Sequence, residues 1–300
     1  MKKIAIRFII LAVITTLLLA ACGDKKPDYT AMIRIDGGTF TMGSPDTEAE
    51  RETDEGPQRQ VTLTGFWMSK YPVTQGWFEE VMGFNPSYFK GKNLPVECVT
   101  WFDALEFCNK LSELHNLQPV YNITGKIMSD NHIWEATVTA DFSKSGYRLP
   151  TEAQWEYACR AGTTTPFNTG ENITTSQANY NGNKSYNGNP AGVYRDTTTP
   201  VDMFSANAWG LYDMHGNVSE WCWDLFSRTY YGESGNNNDP EGPRVGIVRR
   251  GNPGASFRVV RGGSYDWSGQ RLRSAFRADC AQDIGFGSLG FRVVRSLESE

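Results

Sequence analysis

Phe257-Arg-Val-Val-Arg261 is repeated residue for residue as Phe291-Arg-Val-Val-Arg295, close to the end of the chain. Paired β-branched residues bounded by turn formers read as short strands, so Val259-Val260 and Val293-Val294 are expected in the core. Between them runs Gly262 to Gly290, a stretch of small, polar and aromatic residues. Two buried strands holding the ends of a long excursion form a clamp. Closing a loop costs free energy that grows only slowly with its length, so the excursion can change sequence while the strands hold the fold. Binding sites concentrate on loops carried by a rigid scaffold, and the end of the chain is therefore the expected binding surface.

Upstream of this clamp the sequence reads as short elements separated by turns. Thr151 and Gln154 form a capping box after Pro150, which predicts a helix to Arg160 stopped by Gly162. Thr100 with Asp103 opens a second helix to His115, with Leu105, Cys108 and Leu111 on one face. A third is expected over Thr74 to Met82, apolar at Phe78, Val81 and Met82. Strands are expected at Thr39–Met42, Gln60–Thr64 and Trp134–Thr139. Asn168 to Asn189, rich in Asn, Gly and Thr, reads as irregular surface chain, with a local echo of Tyr180-Asn-Gly-Asn in Tyr186-Asn-Gly-Asn. No linker divides the sequence, so one domain is expected over residues 33–297.

The N-terminus has a basic head, Lys2, Lys3 and Arg7, followed by an apolar run from Phe8 to Ala21. That is the layout of a secretory signal. Leu19-Ala20-Ala21-Cys22 resembles a bacterial lipobox, which implies removal of residues 1–21 and acylation of Cys22. Two or more acyl chains hold a protein stably on a bilayer. Residues 22–32 then form a polar tether, and the expected location is the outer membrane, lipid-anchored, at the cell surface or on the periplasmic face. The net charge of −5 argues against a nucleic-acid surface, and the ten arginines between Arg244 and Arg295 are diluted by Asp266, Asp279 and Asp283. Five cysteines lie beyond Cys22, without CxxC spacing and odd in number, so no disulfide framework is legible. His115, His132 and His215 lack metal-ligand spacing.

Several segments, in register, resemble one family. They are Ile35-Asp-Gly-Gly-Thr-Phe-Thr-Met-Gly-Ser44, Tyr71-Pro-Val-Thr-Gln75, Pro95-Val-Glu-Cys-Val-Thr-Trp101 and Tyr147-Arg-Leu-Pro-Thr-Glu-Ala-Gln-Trp-Glu-Tyr157. Gly210-Leu-Tyr-Asp-Met-His-Gly-Asn-Val-Ser-Glu-Trp221, Arg261-Gly-Gly-Ser264 and Gly290-Phe-Arg292 complete the set. Together they resemble the formylglycine-generating-enzyme, or sulfatase-modifying factor, domain. The resemblance implies an α+β, C-type-lectin-like fold with low regular secondary structure. It also implies copper held by two cysteines shortly after Arg-Gly-Gly-Ser, since soft thiolates select Cu(I). The matching stretch here, Tyr265 to Arg277, contains no cysteine. A non-catalytic protein without a required cofactor is expected. Cys108 and Cys159 stand at family disulfide positions, with Val293 and Ser274 where the partners would be.

The end of the chain further resembles the variable region of lipoproteins diversified by retroelements. The resemblance implies a fixed framework of Arg261–Ser264, Leu272–Ala275, Arg277 and Gly290–Val294. Varied ligand-contacting positions would be Asp266, Trp267, Ser268, Arg271, Phe276, Ala278, Asp279, Cys280, Phe286, Gly287 and Ser288, with Tyr265 beside them. Aromatic residues and Arg are common interface anchors, and at least two of Trp267, Phe276 and Phe286 are expected to be exposed. The Gly216–Glu220 turn matches a family calcium site, with Asn217 and Glu220 as structural ligands. The competing reading makes Glu220 the ion-pair partner of a framework arginine. Arg148, Arg261, Arg277 and Arg292 are expected to pair with Asp213, Glu156 or backbone carbonyls. The expected function is binding of a protein or glycan ligand. The alternatives are a structural envelope lipoprotein of a secretion or gliding complex, and a sulfatase-modifying oxidase.

Overall fold

The computed structural model describes residues 28–297, apart from 234, 236, 250 and 251. The expected signal peptide and the expected acylation site Cys22 fall outside the described residues. Each predicted helix is present and starts where its cap lies. The chain forms β1 (Met32–Ile35), β2 (Gly38–Met42), β3 (Arg59–Leu63), β4 (Phe66–Ser69), α1 (Gln75–Met82) and α2 (Trp101–Leu114). There follow β5 (Tyr121–Ser129), β6 (His132–Ala140), β7 (Tyr147–Arg148) and α3 (Glu152–Arg160). The last part contains β8 (Ser219–Leu225), β9 (Val248–Arg249), β10 (Asn252–Arg261), β11 (Ala278–Ala281), β12 (Leu289–Gly290) and β13 (Val294–Ser296). Thr74, Thr100 and Thr151 are the N-caps, and the last two close reciprocal capping boxes with Asp103 and Gln154. α3 ends at Arg160, as predicted, but the left-handed cap is Ala161 rather than Gly162.

The two copies of the repeat enter different sheets. Val259 and Val260 lie on β10, within a sheet ordered β11-β10-β8-β12 with β9 on the side. Val294 opens β13, in a four-stranded sheet ordered β1-β4-β13-β7. The clamp therefore closes through β12, which runs parallel to β8 at Leu289–Ser219 and Gly290–Glu220. Nor is the excursion a free loop, because its middle forms β11 against Phe257–Val260. The stretch 168–189 lacks helix and strand, as expected, but it has a small core of its own. Phe167, Ile173, Ala178, Tyr180 and Tyr186 gather there around Leu272 from the excursion.

β5 was not legible in the sequence, and it pairs with β6 as a long hairpin. Several contacts hold that hairpin to α2, among them Asn109 on the Tyr121 backbone and Lys126 on Glu106, and one of them titrates. His132 Nδ1 lies 2.7 Å from Asp103, whose other oxygen accepts the Ile133 amide at 2.9 Å. The hydrogen bond to Asp103 raises the His132 pKa above its ordinary value against the opposing effect of burial. A raised histidine pKa adds stability that is complete below the unfolded value of about 6.5 and is lost as pH rises through the folded value. His132→Ala should thus destabilise by about 1 kcal/mol more at pH 5.5 than at pH 9, a modest figure because the pair is partly wet. Urea unfolding at both pH values checks this; an equal loss at both would contradict it.

Candidate ligand-binding face

The excursion from Gly262 to Gly290 is anchored by buried arginines. Arg261, fully buried, donates to the carbonyls of Ser274, Ala275 and Phe276 at 2.6–2.9 Å and pairs with Glu156 at 2.5 Å. Arg277 forks onto Glu152 at 2.6 and 2.9 Å and caps the carbonyls of Asp54 and Ser227. Arg273 joins Glu48 and Glu55 at 2.5–2.7 Å. Arg292, on the far side of the excursion, forks onto Glu220 at 2.6 and 2.8 Å. Burial alone would raise the Glu152 carboxyl, but Arg277 and Arg261 outweigh it and hold it below the ordinary range. Planar forks suit such sites because guanidinium and carboxylate match in two parallel bonds.

Glu156 is the partner of Arg261 as expected, and Glu220 pairs with a framework arginine, Arg292, as the competing reading of its turn had it, whereas Glu152 and Glu55 were not predicted as partners. Among the described residues, Asp213 has no arginine within ion-pair distance; it accepts the Asn217 side-chain amide at 2.7 Å. Arg148 hydrogen-bonds the Leu149 carbonyl and Gln154, with no carboxylate partner among the described residues. The Arg-Gly-Gly turn depends on its glycines: both have positive φ, and a Cβ on Gly263 would sit 2.7 Å from the Arg271 carbonyl oxygen.

The twelve candidate contact residues divide into accessible and buried ones. Phe286 is half exposed, and its carbonyl accepts the Cys98 amide at 2.8 Å. Tyr265 is half-buried, its ring edge-on to Phe89 at 5.4 Å, and Phe89 in turn meets Tyr88 at 5.0 Å. Tyr88 is 75% exposed and lies beside Gly287. Trp267 is half-buried under exposed Arg271, whose guanidinium sits 4.9 Å from its ring centre. Asp266 accepts the Ser264 hydroxyl at 2.6 Å, Ser268 precedes the short turn Gly269–Leu272, and the Ser288 carbonyl accepts the Ser219 amide. Two residues depart from expectation. Phe276 is buried against Trp267 and beneath Arg271, because its carbonyl is held inward by Arg261. Cys280 is buried within β11, where Ala278 and Asp279 are half-buried. Of the three aromatic anchors, one is exposed rather than the expected two.

Sequence reading missed Tyr88 and Phe89. Their backbone amides both donate to the buried carboxylate of Glu97 at 2.9 Å, which presents the two rings beside the excursion. A motif-internal glutamate among apolar residues, Pro95-Val-Glu-Cys, was the available signal.

Asn217 and Glu220 do not fit a calcium ion. Both Glu220 oxygens are engaged by Arg292, and one also accepts Trp155 Nε1 at 2.7 Å. Asn217 Oδ1 already accepts from Thr199 and Asn179. Calcium needs six to eight free oxygen ligands, so the ion-pair reading of Glu220 is the one the geometry supports. Among the described residues, no group of three or more His, Cys, Asp and Glu is placed to hold a metal.

The described thiols are buried or half-buried. Burial, then the neighbouring Glu97, pushes Cys98 up to about 12, and burial pushes Cys159 up to about 12. Cys159 lies 3.8 Å from His215 Nε2, yet that nitrogen accepts the Asn168 amide and Nδ1 meets the Leu272 carbonyl at 2.6 Å. Burial lowers His215 to about 4, so the imidazole is neutral and has no free lone pair for a base. Ser274 Oγ stands 3.6 Å from Cys159, and Val293 shares a core cluster with Cys108. The two family disulfide positions are thus each half-filled.

An α+β, loop-rich scaffold with the Arg-Gly-Gly-Ser turn and its buried arginine forks defines a lectin-like class of domain. A family description of the sulfatase-modifying factor enzyme 1-like domain matches residues 20–297, and the chain belongs to that family. It is 38% identical to the chaperone protein LppX of Paenibacillus barcinonensis over 96% of this chain and 98% of that protein. It is also 38% identical to the formylglycine-generating enzyme of Streptomyces coelicolor, over 89% of each. Among solved structures, Treponema denticola variable protein 1 superposes with a TM-score of 0.71 at 30% identity, covering 89% of this chain and 95% of that one.

Proposed function

We propose that the chain is a lipid-anchored binding protein, without catalytic activity, that presents a polypeptide ligand site around Tyr88, Phe89, Tyr265, Trp267, Arg271 and Phe286. The observation that carries the reading is the family's oxidation site itself. Residues 265–277 contain no cysteine, and the five described thiols are buried or half-buried, with those that shift all shifting upward. In place of thiolates stand the half-buried rings of Tyr265 and Trp267 and the exposed Arg271 on an anchored backbone, with exposed Phe286 and Tyr88 nearby, the residue types of an interface hot spot. The relative called a chaperone favours a protein over a glycan as ligand, and the variable protein favours sequence change within the excursion. Lipobox acylation at Cys22 supplies the membrane attachment.

Two measurements test the reading. Titration with Cu(I) and incubation with a cysteine-containing peptide should show neither stoichiometric copper nor an aldehyde product; either one would restore the oxidase. Sequencing of the 3′ end of the gene across sibling isolates should find changes at 266–268, 271 and 286–288. Arg261, Arg273, Arg277 and Arg292 should stay fixed. An excursion as constant as its anchors would remove diversification and leave the structural envelope role.

A further inference from the structure

Arg148 differs from the other fully enclosed arginines. Arg160, Arg261, Arg273, Arg277 and Arg292 each have a glutamate within 2.9 Å. Arg148, 4% exposed, has no carboxylate within ion-pair distance among the described residues. Only its Nη1 makes hydrogen bonds, to the Leu149 carbonyl at 3.2 Å and Gln154 Oε1 at 2.8 Å. Its Nε is buried without a partner. The guanidinium lies over the Phe142 ring at 4.5 Å and lines a cleft of about 180 Å3. A buried cation with an unused donor loses much of its hydration without recompense, and an anionic group in the cleft would restore it.

The rest of the lining decides which anion. Asp239 and Glu241, both exposed, stand on the cleft's rim, and Thr64, Thr151 and Ser296 complete its polar wall. Asp239 is fixed there, since one of its oxygens accepts the Thr64 amide at 2.8 Å and the Thr64 hydroxyl at 3.2 Å. Two carboxylates at the mouth repel a plain anion such as phosphate, while the enclosed guanidinium repels a plain cation. A ligand with both charges a few bonds apart satisfies both ends. The cleft is below the ~300–1,000 Å3 that accommodates a drug-sized molecule, so the ligand is small.

We propose that this cleft, between α3 and the 239–241 segment, is a binding site for a small α-amino acid. Its carboxylate meets Arg148 and its ammonium meets Asp239 and Glu241. The site is independent of the face around Phe286 and uses different residues. None of its lining residues belongs to the 265–277 segment.

Calorimetric titration of the full chain with L-alanine, sodium acetate and methylamine tests it. Saturable binding of L-alanine is expected, at least tenfold tighter than acetate or methylamine. Arg148→Lys, which keeps the charge and removes the planar fork, should weaken alanine at least tenfold. Glu241→Gln, an exposed change that leaves folding intact, should weaken alanine several-fold and acetate not at all. Absence of alanine binding at 10 mM ligand in the folded wild type would overturn the proposal. So would acetate binding as tightly as alanine, which would define a simple anion site instead.

Discussion

Arg261→Ala should destabilise the domain by about 3–5 kcal/mol, the usual loss when one member of a buried, hydrogen-bonded charge pair is removed. The size follows from what remains behind. Glu156 would keep only the Gly43 amide and Arg160, and the carbonyls of Ser274, Ala275 and Phe276 would lose their donor inside the protein. Glu152 would also lose one of its two arginine neighbours. A domain of this kind is typically stable by only about 5–15 kcal/mol in total, so the variant is expected at the edge of folding at 37 °C. Arg271→Ala, an exposed arginine ten residues on, should change stability by less than about 0.5 kcal/mol. Urea midpoints of the two variants check the contrast. Similar losses would mean that the buried fork is not what holds the excursion.

The second large effect depends on pH. Asp224 is buried and accepts the Glu152 amide at 2.7 Å; burial first, and then repulsion from Glu152, pushes its carboxyl up to about 8. Burial pushes Asp213 up to about 7. The unfolded chain has these groups near 3.9, so the folded state binds more protons over the interval. Stability from both groups is therefore complete below about pH 4 and is lost as pH rises through 7 to 8. Each tenfold difference in proton affinity between the folded and unfolded chain is worth about 1.4 kcal/mol, so the loss attached to Asp224 alone is on the order of several kcal/mol. Asp224→Asn retains an oxygen for the Glu152 amide and does not titrate. The variant should match wild type near pH 3.5 and exceed it increasingly up to pH 8.5 in urea unfolding. An identical pH slope for the two proteins would show that Asp224 is ionised throughout.

The parts of this fold that were legible in the sequence are those with local causes. Capping boxes at Thr100 and Thr151 join residues three apart, and both helices start where those boxes place them. The valine pairs announced strands for the same reason. Partners were not legible. Arg277 meets Glu152 and Arg292 meets Glu220 across long separations, and nothing near either arginine in the chain encodes the choice. Phe276 was misread because its sequence neighbours resemble an exposed loop, while its burial is imposed by Arg261 through the backbone. Tyr88 and Phe89 escaped notice because a glutamate eight or nine residues later turns them toward the excursion. β5 was missed because Thr124, Gly125 and Lys126 break any alternation, and its pairing is supplied by β6.

Along the excursion, Gly262–Ser264, Leu272–Arg277 and Leu289–Gly290 are each fixed to the body of the protein, by side chains or by strand pairing. Proteases cleave extended chain that can leave the surface and enter their clefts, which is why nicking gathers at loosely held loops. Here the stretches between anchors are short, and β11 pairs the first part of the longest of them, Ala278–Ala281, with β10. A segment with little regular structure should therefore survive digestion about as well as the sheets beside it.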